Sequence, residues 1–342
     1  MFCSHILMDI LRLMAFVSNK ENNTDTLAYL TRLIGSNTGA TSDSTPFSLP
    51  SKLVTPLLRD GKTERWVTRS FSVDDKYLLL TRVYGNAYHP MFVVDISGPE
   101  PGKVERIYLP GATEREEATT TDGSFSLDPS NPHVAYVITN AYGDFEAVVS
   151  YDIDQRTVTH ITTPNLDASV PVLRPIAWEV GHLGITDAYI YFTANVEGWN
   201  TLYAMPLSGP NKNTVVEVKL GWEGGWIAYS HNGRNGHPHE IALRLASYRS
   251  RGFVRRATLD LQTLKHTSDG NAYVDVEMTP YVQAAAPEVA KSVAPGLIRF
   301  RSFDGLEVPA LYYHPNEGKT RVPVVIGIHG GPESQATVQY RT

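Results

Sequence analysis

Between the N-terminus and about residue 280 the apolar positions fall in short, strand-length runs bounded by turn residues, and one pattern recurs. It is an acidic or turn residue held between two apolar ones: Val94-Asp95-Ile96, Tyr151-Asp152-Ile153, Met205-Pro206-Leu207 and Leu259-Asp260-Leu261. The centres at 95, 152, 206 and 260 are spaced by 57, 54 and 54 residues. A period this steady, with only strands inside it, predicts the blades of an all-β propeller.

Each unit carries matching parts upstream. Ser70-Phe71-Ser72-Val73, a turn at Asp74-Asp75-Lys76 and Tyr77-Leu78-Leu79-Leu80-Thr81 predict one hairpin. Phe125-Ser126-Leu127, a turn at Asp128-Pro129 and Val134-Ala135-Tyr136-Val137-Ile138 predict the next. The third version pairs Ile176-Ala177-Trp178 with Tyr189-Ile190-Tyr191-Phe192, and a looser fourth pairs residues 225–229 with residues 240–244. Asp and Pro suit the turns because they hydrogen-bond locally or fix φ, while β-branched and aromatic residues cover the strand faces.

The N-terminus joins the pattern. Residues 13–19 and 26–30 read as inner strands of a blade, followed by a Ser/Thr/Gly/Pro-rich loop from Gly35 to Ser51. The expectation is a propeller over 1–279 with about five blades, incomplete at its N-terminus. Residues 280–296 hold three prolines in an Ala/Val-rich stretch and read as a linker.

Beyond the linker the pattern changes to longer apolar runs. Residues 297–303, Asp304-Gly305 and residues 306–313 predict two strands joined by an Asp-Gly hairpin turn. Pro323-Val324-Val325-Ile326-Gly327-Ile328 then runs into His329-Gly330-Gly331-Pro332, as a strand buried on both faces does when it stops at a tight loop. Glycines there let backbone N–H groups approach a ligand, which is what stabilising a developing oxyanion requires.

These residues, over roughly 297–335, resemble the opening of the α/β-hydrolase domain in the prolyl oligopeptidase family of serine peptidases, in its acylaminoacyl-peptidase and dipeptidyl-aminopeptidase-like branch. The resemblance implies a propeller followed by the first strands of an α/β-hydrolase domain at 297–342, and hydrolysis of short peptides through an acyl-enzyme. It also implies that N–H groups around Gly330 and Gly331 form one arm of an oxyanion hole, with His329 and Pro332 shaping the loop. The family's serine, acid and base follow this loop in the order Ser, Asp or Glu, His. No Gly-x-Ser-x-Gly occurs in the 342 residues. Ser334 lacks the flanking elbow glycines, so no catalytic residue is assigned and the chain alone is expected to be inactive and truncated. A propeller that binds a protein or peptide, or a non-functional gene fragment, are the alternatives.

Composition narrows the classes. A net charge of −6 at pH 7 gives no basic face for nucleic acid. The single cysteine, Cys3, rules out an intrachain disulfide and makes a reducing, cytoplasmic setting the expectation. Asp9 and Arg12 interrupt the apolar N-terminus, which argues against a signal peptide, and the sequon at Asn22 weighs weakly against the cytosol. No run of eighteen apolar residues is present.

Three clusters could carry other chemistry. His231, His237 and His239 lack a ligand-spaced carboxylate or cysteine other than Glu240, so they read as a hairpin loop and no metal or cofactor is expected. Arg249, Arg251, Arg255 and Arg256 read as a charged edge strand. Glu114, Glu116 and Glu117 could meet a substrate amino group, with no assignment made.

Overall fold

The computed structural model describes residues 6–9, 13–18, 25–32, 51–55, 65–85, 88–112, 118–164, 166–222, 224–231, 239–280, 293–314, 322–330 and 335–339. Every regular element among them is a strand. The chain packs as two compact units, Met1–Val172 and Leu173–Thr342. The linker predicted at 280–296 falls within the second, with residues 281–292 outside the described residues.

The first unit holds three four-stranded sheets whose strands pair antiparallel in chain order. They are β1 (Ile6–Asp9), β2 (Leu13–Ser18), β3 (Leu27–Arg32) and β4 (Ser51–Leu53); β5 (Trp66–Phe71), β6 (Tyr77–Arg82), β7 (Met91–Asp95) and β8 (Val104–Arg106); and β9 (Thr120–Phe125), β10 (Val134–Thr139), β11 (Ala147–Asp152) and β12 (Thr157–His160). The expected inner strands of the N-terminal sheet are β2 and β3, and β1 adds a strand that the pattern did not predict.

Packing between these sheets explains the unbroken Leu78-Leu79-Leu80 run. Leu78 and Leu80 join Val94 and Ile96 in a core shared with Ala15, Val17, Leu27 and Tyr29 of the first sheet. Leu79 points the other way, into a second core with Val93, Phe125, Ala135 and Val149. The two-residue period of a strand thus supplies both faces of the middle sheet. Each leucine buried in this way contributes about 1.5–3 kcal/mol.

The second unit begins with β13 (Glu179–Ile185), β14 (Tyr189–Val196), β15 (Trp199–Pro206) and β16 (Val216–Lys219), again a meander. Next come β17 (Trp226–His231), β18 (Glu240–Ser247) and β19 (Ser250–Thr258). The chain then leaves this sheet: β20 (Lys265–His266) and β21 (Ala272–Asp275) extend the preceding one, with β21 parallel to β16. It returns as β22 (Met278–Pro280), antiparallel to β19. Tyr191, Leu202, Val216 and Val218 pack on Ile227, Ile241, Leu243 and Leu245 in one core.

One backbone contact repeats through four sheets. The residue following the third strand donates its N–H to the carbonyl just before the second: Ile96 to Lys76, Ile153 to His133, Leu207 to Ala188 and Leu259 to His239, at 2.7, 3.1, 2.9 and 2.8 Å. The recurring motif therefore marks the end of the third strand, as β7, β11 and β15 show. In the fourth sheet the equivalent of Ile96 is Leu259, so the predicted centre at 260 is two residues late. Asp260 instead accepts the N–H of Gln262 at 2.9 Å in the turn beyond.

The first strands also depart from the prediction. β5 and β9 end at Phe71 and Phe125, whereas the expected strands ran over 70–73 and 125–127, and β13 starts after Trp178. Ser72, Ser126 and Thr186 are turn residues: each is buried, and each side-chain oxygen accepts a backbone N–H, from Tyr77, Asp128 and Tyr189 at 2.8, 3.1 and 2.9 Å. At Arg255 and Arg256 the arginine-rich β19 is not an edge, because β22 pairs with it there on the side opposite β18.

Candidate functional site

The C-terminal residues that carry the family resemblance form β23 (Gly296–Arg301) and β24 (Glu307–Tyr312), paired from Gly296↔Tyr312 to Arg301↔Glu307. The predicted Asp-Gly hairpin is present, but its loop is Phe303-Asp304-Gly305. Ser302 N–H donates to Leu306 O at 2.8 Å and Gly305 N–H to Ser302 O at 3.0 Å. Gly305 has φ +87°, the left-handed residue that completes a three-residue hairpin loop. The backbone N–H of Leu306 holds the Asp304 carboxyl below its ordinary pKa.

The run that follows is not the predicted buried strand. Residues 322–330 belong to no strand, and Val325 and Ile328 are 93% and 87% exposed. A strand buried on both faces needs neighbours on both sides, and the described residues supply no strand partner for this run. His329 is exposed, with Nδ1 2.9 Å from Gly330 O. A side chain on Gly330 would meet nothing within 4 Å. Gly331 and Pro332 of the expected oxyanion loop, and Ser334, lie outside the described residues.

Past the loop the chain bonds to the β14–β15 turn and to Gly225. Val338 is buried, its N–H donating to Gly198 O at 3.0 Å and its carbonyl accepting from Gly225 N–H at 2.7 Å. Gln335 Oε1 accepts from Asn195 Nδ2 at 2.6 Å. Nearby, Arg299 of β23 forms an ion pair with Glu197 in the β14–β15 turn. The turn thus holds both the hairpin and the segment beyond the loop, and sequence reading missed it.

Of the other candidates, His237 and the three glutamates lie outside the described residues. His239 is exposed, with Nδ1 2.5 Å from the Tyr189 phenol oxygen and the two rings edge to face. Arg249 stacks on Tyr248 and Arg255 on Phe253, which occupies both guanidinium groups with aromatic faces. In the first unit a cleft of about 390 Å³ opens over Val93, Val104, Ile107, Tyr151 and Ile153, and Lys103, Glu105, Arg106 and Arg156 also line it. Its excess of positive charge was not legible from spacing.

No family model matches the chain, and neither does any of the curated proteins compared with it. Solved structures do. A post-proline cleaving enzyme from Rickettsia typhi superposes with a TM-score of 0.55 at 9% identity, over 92% of this chain and 41% of that one. Prolyl oligopeptidase B from Galerina marginata, bound to a 35mer hydrolysis and macrocyclization substrate, superposes with a TM-score of 0.53 at 11% identity, over 87% of this chain and 36% of that one. The likeness is one of fold. The all-β chain with its succession of antiparallel sheets matches the β-propeller domain of prolyl oligopeptidases, and it spans 36% to 41% of the length of these two structures.

Proposed function

We propose that the chain is the propeller and the opening of the catalytic domain of a prolyl oligopeptidase-type serine peptidase, of the acylaminoacyl-peptidase and dipeptidyl-aminopeptidase-like branch, working in the cytoplasm on short peptides. The observation that carries this reading is an order of elements: meander sheets matching the prolyl oligopeptidase propeller, then the β23–β24 hairpin, then an apolar run ending in His329-Gly330. In such an enzyme a serine oxygen adds to the peptide carbonyl, the amine leaves with a proton from the base, and water releases the acid. The share of Gly330 and Gly331 in that reaction is to point N–H groups at the oxyanion. Serine, acid and base must come from outside these 342 residues, while the propeller screens substrates by size.

Two measurements test the proposal. A fluorophosphonate probe should leave this chain unlabelled, and robust capture would show an activated serine where none is assigned. The transcript beyond the codon for Thr342 should continue in frame to a Gly-x-Ser-x-Gly, and an immediate stop there would overturn the peptidase reading.

A further inference from the structure

The segment at 335–339 sits in a slot whose walls are tied to each other by hydrogen bonds of their own. One wall is the β14–β15 turn, shaped by Asn195 Oδ1 accepting the Gly198 N–H at 2.9 Å. The other is Gly224-Gly225, leading into β17. Asn200 ties the two together: its backbone N–H donates to Gly224 O at 3.0 Å and its Nδ2 to Gly225 O at 2.6 Å. The bonds that fix the slot are thus separate from those that fill it.

We infer that this slot is a binding site for a short peptide that turns at a β-branched anchor residue, and that residues 335–339, with Gln339 N–H donating to Thr337 O at 2.8 Å across Val338, are its resident occupant. Recognition is by backbone: both main-chain groups of Val338 pair with slot glycines. The walls are backbone because the chain comes too close for anything else. A Cβ on Gly225 would lie 2.2 Å from Val338 N, and one on Gly198, at φ +94°, would lie 3.2 Å from Ala336 O. Specificity comes from two side chains. Val338 is the one buried residue of the segment, and three residues before it Gln335 offers an acceptor to Asn195. A fitting ligand therefore has an amide or carboxylate side chain three positions ahead of Val, Ile or Thr. The slot belongs to β14–β15 and the approach to β17, so the inference stands whether or not Gly330 serves a peptidase.

A tethered occupant competes at millimolar effective concentration, so a free peptide binds the unaltered chain poorly. The test uses the full chain and a fluorescein-labelled peptide, Gln-Ala-Thr-Val-Gln, followed by anisotropy. Val338→Asp should eject the tether and tighten peptide binding by about tenfold or more. The milder Val338→Ala should give an intermediate gain. Adding Gly225→Val to either should abolish binding, and a peptide with aspartate in place of valine should not bind. Amide exchange across β14 and β15 checks that each variant is folded, and Val338→Ala decides if Val338→Asp is not. The inference is overturned if the folded variants bind the peptide no better than the unaltered chain. Binding that survives Gly225→Val overturns it equally.

Discussion

His133 Nε2 stands 2.9 Å from Asp74 Oδ2, joining the residue before β10 to the β5–β6 turn of the neighbouring sheet. Its other nitrogen lies 2.5 Å from Asp154 Oδ2, and Asp154 Oδ1 also accepts from Tyr77 at 3.3 Å. Burial pulls the imidazolium pKa down, but the hydrogen bonds to Asp154 and Asp74 outweigh it, and the net shift is upward. The hydrogen bond from His133 lowers the Asp154 pKa. For Asp74, burial raises the pKa, and the bonds from Ser72 and His133 reverse the sign.

The signs set a pH window. The histidine's contribution is complete below its ordinary pKa of about 6.5 and is lost as pH rises through the higher folded value; the carboxylates' is present above about 3.9 and is lost as pH falls through their lowered values. His133→Asn should therefore lower stability most between about pH 4 and pH 6.5, by roughly 1 kcal/mol after solvent screening. Thermal melts of both proteins across pH 3–9 would show the gap narrowing at either end. A gap independent of pH would mean that the charged network contributes nothing.

Ser70 supplies a second tie between the same sheets. Its buried Oγ accepts the Phe125 N–H at 2.7 Å, from the free side of β9. Ser70→Ala leaves that N–H without its acceptor and should cost about 1–3 kcal/mol. Urea unfolding would measure the loss, and amide exchange should quicken at Phe125 before the rest of β9.

How much of this was legible in the sequence depended on where each strand finds its partners. The third strands were readable because Asp95, Asp152 and Pro206 close apolar runs. First strands were not: β9 reads Thr-Thr-Asp-Gly-Ser-Phe, with little apolar alternation, and draws its fixed position from Ser70 and from Arg69, whose guanidinium reaches Thr121 O at 2.6 Å. Parallel pairing of β21 with β16 is non-local and leaves no periodic trace. At the candidate site the Asp304-Gly305 hairpin announced itself. The slot did not, because Asn195, Asn200 and Gly225 acquire a role only when another stretch of chain lies between them. An Asn-x-x-Gly turn at 195–198 and a Gly-Gly pair before a strand were the available signals.

The middle leucines of β6 separate the two cores of the first unit. Leu80→Ala and Leu79→Ala should each cost about 2–5 kcal/mol, since both side chains are fully buried. Their local effects should differ. Amide exchange should rise in β2 and β3 for Leu80→Ala, and in β10 and β11 for Leu79→Ala, because the cavities open into different sheet interfaces. Identical exchange patterns would contradict the alternation.

Gly305 tests the hairpin that carries the family resemblance. At φ +87° any side chain is strained, and Gly305→Ala should weaken the β23–β24 pairing by about 1 kcal/mol. The effect should stay local: faster amide exchange at Ser302 and Leu306, with the sheets of the first unit unchanged. An alanine variant with unaltered exchange there would remove the left-handed turn from the account.

The exposed run before His329 predicts a solution property. Val324, Val325, Ile326 and Ile328 present apolar side chains in sequence, and Ile298 and Phe300 of β23 are exposed as well. An unpaired, β-prone apolar segment is a template for intermolecular strand pairing. Because these side chains bury little, replacing them should leave folding intact, within about 0.5 kcal/mol. A Val325→Lys, Ile328→Lys double variant should thus keep its melting temperature while light scattering at raised protein concentration falls well below that of the unaltered chain. A melting temperature several degrees lower would show that the run is packed in solution, as a strand of a layered sheet would be.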